Sequence, residues 1–479
     1  MGIVYRGCYH LLIINTSGSS YRKQKLQGGK KMKKRMARLT ALSMAALMTA
    51  SLTACGSGGN GGSGGDGSEG SGGSGGDKEI TYWNIATEDV DKDIITKAVE
   101  EFNSNTESGY TVTSIPTQND TYKEKLVVAM SSGECPDMYS SWSGGPMFEY
   151  IDSGFAQPID DLFNKSDIKN KLMEAAVAQA TYNDHIYAVP YLNVSLAGVF
   201  YNKEMFDKYN LKEPETVADL ENICETLKKN GITPFALANG SKWTGSMYFM
   251  SLAARLGGLE PFQKAVAGEG KFTDECFVQA GEKLQEWVKA GYFPDGVNSL
   301  SEDDGQAKQL MYQETAGMLL CGSWYTSTFA TDSKEFYEKI GWFPFPAAEA
   351  SDADSTIQIG TVGDQFISFN CEGDKLAAAF ECAEAHLSDE MIDFMTEKGK
   401  VPPVQGVEEK VKDPVAKEIV EAANSAPQIQ LWYDQYLPPA VATAHLDGLQ
   451  EVFGLTKTPM EAQEAMQKAM DDYLANKTE

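Results

Sequence analysis

Arginine is almost missing from this chain: beyond residue 54 only Arg255 remains, inside the apolar stretch "MSLAARLGG" (250–258). The planar guanidinium fork is the preferred partner of a buried carboxylate or phosphate, so its scarcity argues against an anionic or zwitterionic ligand. Lysines or a helix N-terminus remain as substitutes. Histidine is nearly as scarce. The four residues His10, His185, His386 and His445 are scattered, which argues against a metal site. Cys135, Cys224, Cys276, Cys321, Cys371 and Cys382 show no C-x-x-C or ligand spacing. Their apolar neighbours favour buried free thiols, with disulfides as the alternative. No phosphate-cradling GxxxxGK[ST] loop, GxSxG nucleophile elbow or 20–50-residue repeat occurs. No cofactor is expected, and no apolar run after residue 54 is long enough to cross a bilayer.

What is present begins with an uneven charge distribution. Residues 1–54 hold ten of the 41 Lys/Arg and none of the 68 Asp/Glu, leaving 31 basic against 68 acidic residues in the remainder. A surface that acidic repels nucleic acid and anionic head groups. The basic cluster stops at Arg38, and the apolar run Leu39 to Ala54 follows. That order is a secretory signal. Its end, Leu52-Thr53-Ala54-Cys55, resembles the lipobox of bacterial lipoproteins, which implies that Cys55 is lipidated and becomes the mature N-terminus. An ordinary cleaved signal with an incidental cysteine is the alternative.

Gly56 to Asp77 contains no core-forming residue and is expected to be a flexible tether with an r.m.s. reach of about 26 Å. Upstream, Gln27-Gly28-Gly29-Lys30-Lys31-Met32 matches the translation of a purine-rich ribosome-binding element before a start codon. Translation is therefore expected to begin at Met32, with 1–31 an upstream extension, 32–54 the signal and 55–77 the anchor and tether.

The remaining 402 residues (78–479) are long enough for two or three cores. "EITYW" (79–83) alternates as a strand, "DIITKAVEEFNSN" (93–105) puts Ile94, Ile95, Ala98, Val99 and Phe102 on one helical face, and "YTVTSIP" (110–116) reads as the next strand. Strand, helix, strand predicts a parallel α/β sheet. Helices are expected at 216–229, where Thr216 and Asp219 form a capping-box pair, at 273–290 before Gly291, and from Thr458 onward.

Five stretches carry a resemblance in their order: "SSGECPDMYSSWSGG" (131–145), "YAVPYLNVSLAGVFYNKEMFDKYNLKEPETVADLENICETLKKNGITPFAL" (187–237), "KQLMYQETAGMLLCGSW" (308–324), "GWFPFPA" (341–347) and "QIQLWYDQYLPP" (428–439). Over nearly all of 78–479 the chain resembles bacterial extracellular solute-binding proteins of the sugar-binding class. The resemblance implies an α/β, two-lobed, periplasmic-binding-protein-like (type II) fold with the ligand cleft between the lobes. By analogy one lobe comprises 78–191 plus 340–398 and the other 195–337 plus 400–479, with hinges at "YLNV" (191–194), "KIGW" (339–342) and "GKVPP" (399–403).

A pyranose offers apolar C–H faces and a rim of hydroxyls, so it needs aromatic platforms edged by carboxylates or amides. Seven tryptophans are available. Trp83 and Trp287 are expected to pack, and Trp342 to pack near an interlobe crossing. The resemblance implies stacking roles for Trp324 and Trp432, with Tyr433 beside the latter. Trp142, in a Ser/Gly-rich loop, and Trp243, in "NGSKWTG", are further ligand candidates, with packing as the alternative. For the polar rim the candidates are Glu88, Asn193 or Ser195, and Asp364, with Asp434 in addition; each is equally readable as a loop charge or cap. Asp137 reads as a turn residue.

The expected function is a monomeric, non-catalytic receptor that is lipid-anchored on the extracellular face of a membrane, most plausibly Gram-positive. It would bind a neutral mono- or oligosaccharide and deliver it to an ABC transporter permease. The alternatives are an extracellular glycoside hydrolase, which also needs acidic pairs beside aromatic platforms, and a binding protein for a non-sugar solute.

Overall fold

The computed structural model describes residues 78–87, 89–349 and 351–477. The expected signal, Cys55, the tether and Glu88 lie outside the described residues. The chain opens with β1 (Glu79–Asn84), α1 (Asp89–Asn105), β2 (Thr111–Pro116), α2 (Asn119–Ser132) and β3 (Met138–Ser141). β1 pairs in parallel with both β2 and β3, as strand–helix–strand connections require. Ile80 and Tyr82 of β1 meet the expected apolar face of α1, and all five of its residues are buried.

A two-residue hairpin joins β4 (Thr181–Tyr182) and β5 (His185–Ile186). Its Asn183 and Asp184 have φ of 50° and 66°, the left-handed pair that such a turn demands. β6 (Ala188–Pro190) then leads across to β7 (Val194–Asn202), whose nine residues are all buried.

The second half of the chain supplies α3 (Val217–Lys229), β8 (Thr233–Phe235), α4 (Trp243–Gly257), α5 (Glu275–Ala290), β9 (Ala316–Gly322), α6 (Tyr325–Asp332), β10 (Ile340–Pro344), β11 (Gln358–Val362), β12 (Phe366–Phe369), β13 (Ile429–Gln430), α7 (Tyr433–Tyr436) and α8 (Pro459–Lys477). The Thr216–Asp219 capping box forms at the start of α3, and Thr458 and Glu461 bond reciprocally ahead of α8. Gly291, at φ 72°, ends α5.

The strands form two larger sheets. One has the order β2-β1-β3-β12-β6, and the other β13-β11-β7-β9-β8 with β10 also beside β7. Each sheet with its helices is one lobe.

This pairing corrects the expected boundary. β10 and β11 run antiparallel to β7, with Ile340 opposite Asn202 and Thr361 opposite Ser195, so 340–362 belongs to the second lobe. "KIGW" is therefore no hinge. Its Trp342 lies against Gly198 within that lobe, so close that a Cβ on Gly198 would come within 2.2 Å of the indole. The chain crosses between lobes at 191–193, at 363–365 and after residue 397. Asn193 ties these crossings together. Its side-chain oxygen accepts from Val401 N–H (2.7 Å), its carbonyl accepts from Gly363 N–H (3.0 Å), and the next residue, Val194, donates to the Val401 carbonyl (2.6 Å).

All six described cysteines are free. Among the described residues no helix is long and apolar enough to cross a membrane.

Candidate functional site

The loops that follow β1, β2 and β3 in the first lobe face those that follow β8 and β9 in the second, at the carboxyl ends of parallel strand pairs, where α/β sheets place ligands. Between them runs a cleft with about 1280 Å³ of empty space, open solvent included. Trp142, Trp243, Trp324, Trp432 and Asp364 all line it.

Trp324 is placed by the end of β9. Ser323 Oγ donates to the Val194 carbonyl (3.1 Å) and accepts from Leu196 N–H (3.3 Å), which pins the turn. The indole then folds back over Gly322, where a Cβ would sit 1.9 Å from the ring. Only glycine leaves that space. Trp324 meets Trp243 at 5.9 Å between centroids and Trp432 at 6.1 Å, with the ring planes inclined at 60° and 68°. Three indoles from distant parts of the sequence thus form one wall. The Nε1 donors of Trp243 and Trp432 are buried without a hydrogen-bond partner, and unsatisfied donors of this kind are uncommon in folded interiors.

The first lobe's wall is more polar. Trp142 stands edge-on to Tyr122 (6.0 Å), and Lys123 Nζ lies 5.0 Å from its ring centre. Lys123 also reaches Asp434 of the second lobe at 3.7 Å. Burial pushes the Asp434 carboxyl upward, with Lys123 opposing. Deeper in, Lys400 is 3% exposed and pairs with Asp91 at 2.6 Å. Asp364 follows Gly363, whose φ of +106° turns the second crossing. Its carboxyl is pushed up to about 7 by burial, against the pull of Lys400. On the second lobe Lys308 pairs with Asp332 at 3.0 Å. Each of these three cleft lysines therefore already faces an aspartate.

Other expected site residues lie elsewhere. Tyr433 is buried and stacks on Phe262 with centroids 4.2 Å apart, so it supports the Trp432 turn from behind. Asn193 staples the crossings, and Ser195 is fully buried within β7; neither lines the cleft. These three assignments are corrected. Arg255, the lone arginine, donates to the carbonyls of Phe345 and Ile357 (2.7–3.1 Å) and braces the second lobe. Asp137 accepts from the Thr81 amide and hydroxyl, as a structural residue does. Asp91, Lys123, Lys400 and Asp303 escaped sequence reasoning. For Asp91 and Lys123 the signal was position, since each follows a strand of the parallel set and such strands deliver their following segments to the same edge; Lys400 lies in the expected crossing "GKVPP", and Asp303 had no local signal.

The two lobes also touch directly. Gly144 and Gly145 lie under residues 435–438, where added Cβ atoms would fall 2.3 Å from the Gln435 carbonyl oxygen and 2.2 Å from that of Leu437. Asp303 of the second lobe also reaches the start of α2.

The sequence profile of the bacterial extracellular solute-binding protein family matches residues 86–400. An uncharacterized ABC transporter extracellular-binding protein of Pyrococcus horikoshii is 31% identical over 228 residues, 47% of this chain and 50% of that one. The chain spans about half the length of the first curated relatives it matches. Among solved structures, one from work on xylan utilization by Caldanaerobius polysaccharolyticus is 28% identical with a TM-score of 0.74, covering 81% of this chain and 99% of its own. A chitin oligosaccharide binding protein is 25% identical with a TM-score of 0.74, covering 82% and 98%.

Proposed function

The chain belongs to the bacterial extracellular solute-binding protein family, and on that premise we propose that it is a receptor for a neutral oligosaccharide, which it delivers to the membrane permease of an ABC transporter. The observation that carries this reading is the wall of Trp243, Trp324 and Trp432 facing a polar rim across one cleft. Apolar sugar faces stack on indoles while hydroxyls reach carboxylates and amides at the edge.

Charge supports a neutral solute. The arginine is spent on backbone carbonyls of the second lobe, and Lys123, Lys308 and Lys400 are each paired with an aspartate. An anionic ligand would have to displace one of these pairs. Asp364, on the second crossing, is proposed to accept from a sugar hydroxyl, which places one ligand contact at the point about which the lobes swing. Closure then follows from contacts available only when both lobes reach the ligand. The several indoles lining the cleft and the neighbours named for xylan utilization and chitin oligosaccharide binding favour more than one sugar ring. Lipidation of Cys55, anchorage on the extracellular face of a Gram-positive membrane, a monomeric state and the absence of catalysis complete the reading.

The test is a thermal-shift and tryptophan-fluorescence screen of the protein against neutral mono- and oligosaccharides, with product analysis of the same mixtures. At a hundredfold excess over Kd a bound sugar adds about 2.7 kcal/mol of stability. A saturable shift with intact sugar is the expected result. Cleaved sugar would move the assignment to a hydrolase, and silence across the panel would overturn the sugar reading.

A further inference from the structure

Helix α2 (Asn119–Ser132) lacks a cap of its own. Gln118, at its N-cap position, makes no side-chain capping bond, although the first turn of any helix leaves amide groups unsatisfied. The acceptor comes instead from the other lobe. Asp120 N–H donates to Asp303 Oδ2 at 2.9 Å, and Gln118 Nε2 donates to the Asp303 carbonyl at 3.1 Å. Asp120 is the second residue of the helix, where an N-cap side chain ordinarily bonds.

The loop that presents Asp303 is braced within its own lobe. Glu302 N–H donates to Ser241 Oγ (3.2 Å), its carboxylate accepts from the Tyr325 hydroxyl, Asp304 N–H donates to Ser301 Oγ (3.2 Å), and Gly305 N–H returns to the Glu302 carbonyl (2.8 Å).

We propose that Asp303 is an interlobe cap, a positioning residue whose carboxylate completes helix α2 only while the lobes are together and so biases them toward the closed arrangement. The bond spans the cleft and breaks when the lobes separate, so its whole contribution falls on the closed side of the equilibrium. Opposing it are the burial of the carboxylate and the neighbouring Asp120 and Asp304, with Lys123 assisting. The bias is accordingly modest, about fivefold in the closed-to-open ratio for a typical cap. A modest bias suits a receptor that must reopen.

The experiment uses the full chain without any sugar, so its result is independent of the solute assignment. Small-angle scattering reports lobe separation, and amide exchange is followed at 143–145 and 435–437, a second interlobe contact in which Asp303 takes no part. Asp303→Ala is expected to lengthen the scattering dimension and raise exchange at both segments about fivefold. Asp303→Asn, which keeps an acceptor, is expected to fall between. Asp304→Ala removes the same charge from an exposed neighbour and is expected to match the wild type. Exchange that rises only at Asp120, with 143–145, 435–437 and the scattering unchanged, would reduce Asp303 to a local cap and overturn the proposal. An Asp304→Ala effect as large as that of Asp303→Ala would overturn it as well.

Discussion

The two walls of the cleft are built on different principles. The second lobe supplies three of the four cleft tryptophans as a mutually touching group, held by a strand end with glycine beneath one ring. The first lobe supplies a single tryptophan, together with Lys123 and Asp91 on the first turns of α2 and α1. Stacking surface does not depend on lobe closure, whereas ion pairs and hydrogen bonds gain strength when water is excluded. Under the proposed function the difference predicts a division of labour: the aromatic wall would hold a sugar with the lobes apart, and the polar wall would add its contacts on closing.

That division is most directly broken by truncating one ring on each side. Trp324→Ala removes the ring that touches both other indoles and is expected to cost about 3 kcal/mol of sugar binding, roughly a hundredfold in Kd. Trp142→Ala is expected to cost about 1 kcal/mol. Titration calorimetry with the sugar identified by the screen decides, and equal losses would end the distinction between the walls.

A second comparison concerns acid stability, because each lobe buries one neutral histidine. His386 lies edge-on to Tyr191 in the first lobe, and His445 bonds Ser246 at 2.7 Å in the second. Burial lowers His386 to about 4 and His445 to about 3. Unfolded histidine takes up its proton near 6.5, so stability is full above that pH and falls as pH drops below it. The slope is at most about 1.4 kcal/mol per pH unit for each group. Urea melts between pH 7 and 4 are expected to lose about 3 kcal/mol through each histidine. His386→Gln should flatten the first lobe's share and His445→Gln the second's; a pH slope unchanged by both would remove the histidines from the account.

Asp364 gives an effect of comparable size with the opposite sign. Its folded value of about 7 exceeds the ordinary aspartate value near 3.9. Its favourable contribution is therefore complete below about pH 4 and lost as pH rises through 7. Asp364→Asn is expected to raise stability by about 4 kcal/mol at pH 8, with little change at pH 4, while weakening sugar binding several-fold. Thermal melts at the two pH values check the first statement and titration the second. A variant that binds as tightly as the wild type would take Asp364 out of the polar rim.

Much of the scaffold was legible locally. The apolar face of α1, the Thr216–Asp219 box of α3, and Gly291 at the end of α5 are statements about residues within one or two helical turns, and spacing encodes them. That Trp142, Trp243, Trp324 and Trp432 would line one cleft was legible partly through resemblance and partly because large rings in Ser/Gly-rich loops have little local reason to be there. Tyr433 misled because it adjoins Trp432, yet successive residues at a turn point in different directions: one ring reaches the cleft and the other stacks on Phe262. Asn193 misled because a buried amide at a crossing serves a hinge staple as well as it serves a ligand. The boundary at 340 failed for a topological reason, since β10 returns antiparallel to β7 before the chain crosses.

The sequence by itself determined the acidic surface, the scarcity of cationic forks, the local helices and strands and the supply of indoles, because composition and short-range periodicity suffice for these. Only the tertiary structure decided which indoles meet, which carboxylates stay unpaired, where the chain crosses between lobes, and that a residue at 303 caps a helix beginning at 119. Those are contacts between residues far apart in the chain. Their geometry is set by strand order and by the few places where glycine lets two backbones approach, and no local pattern records either.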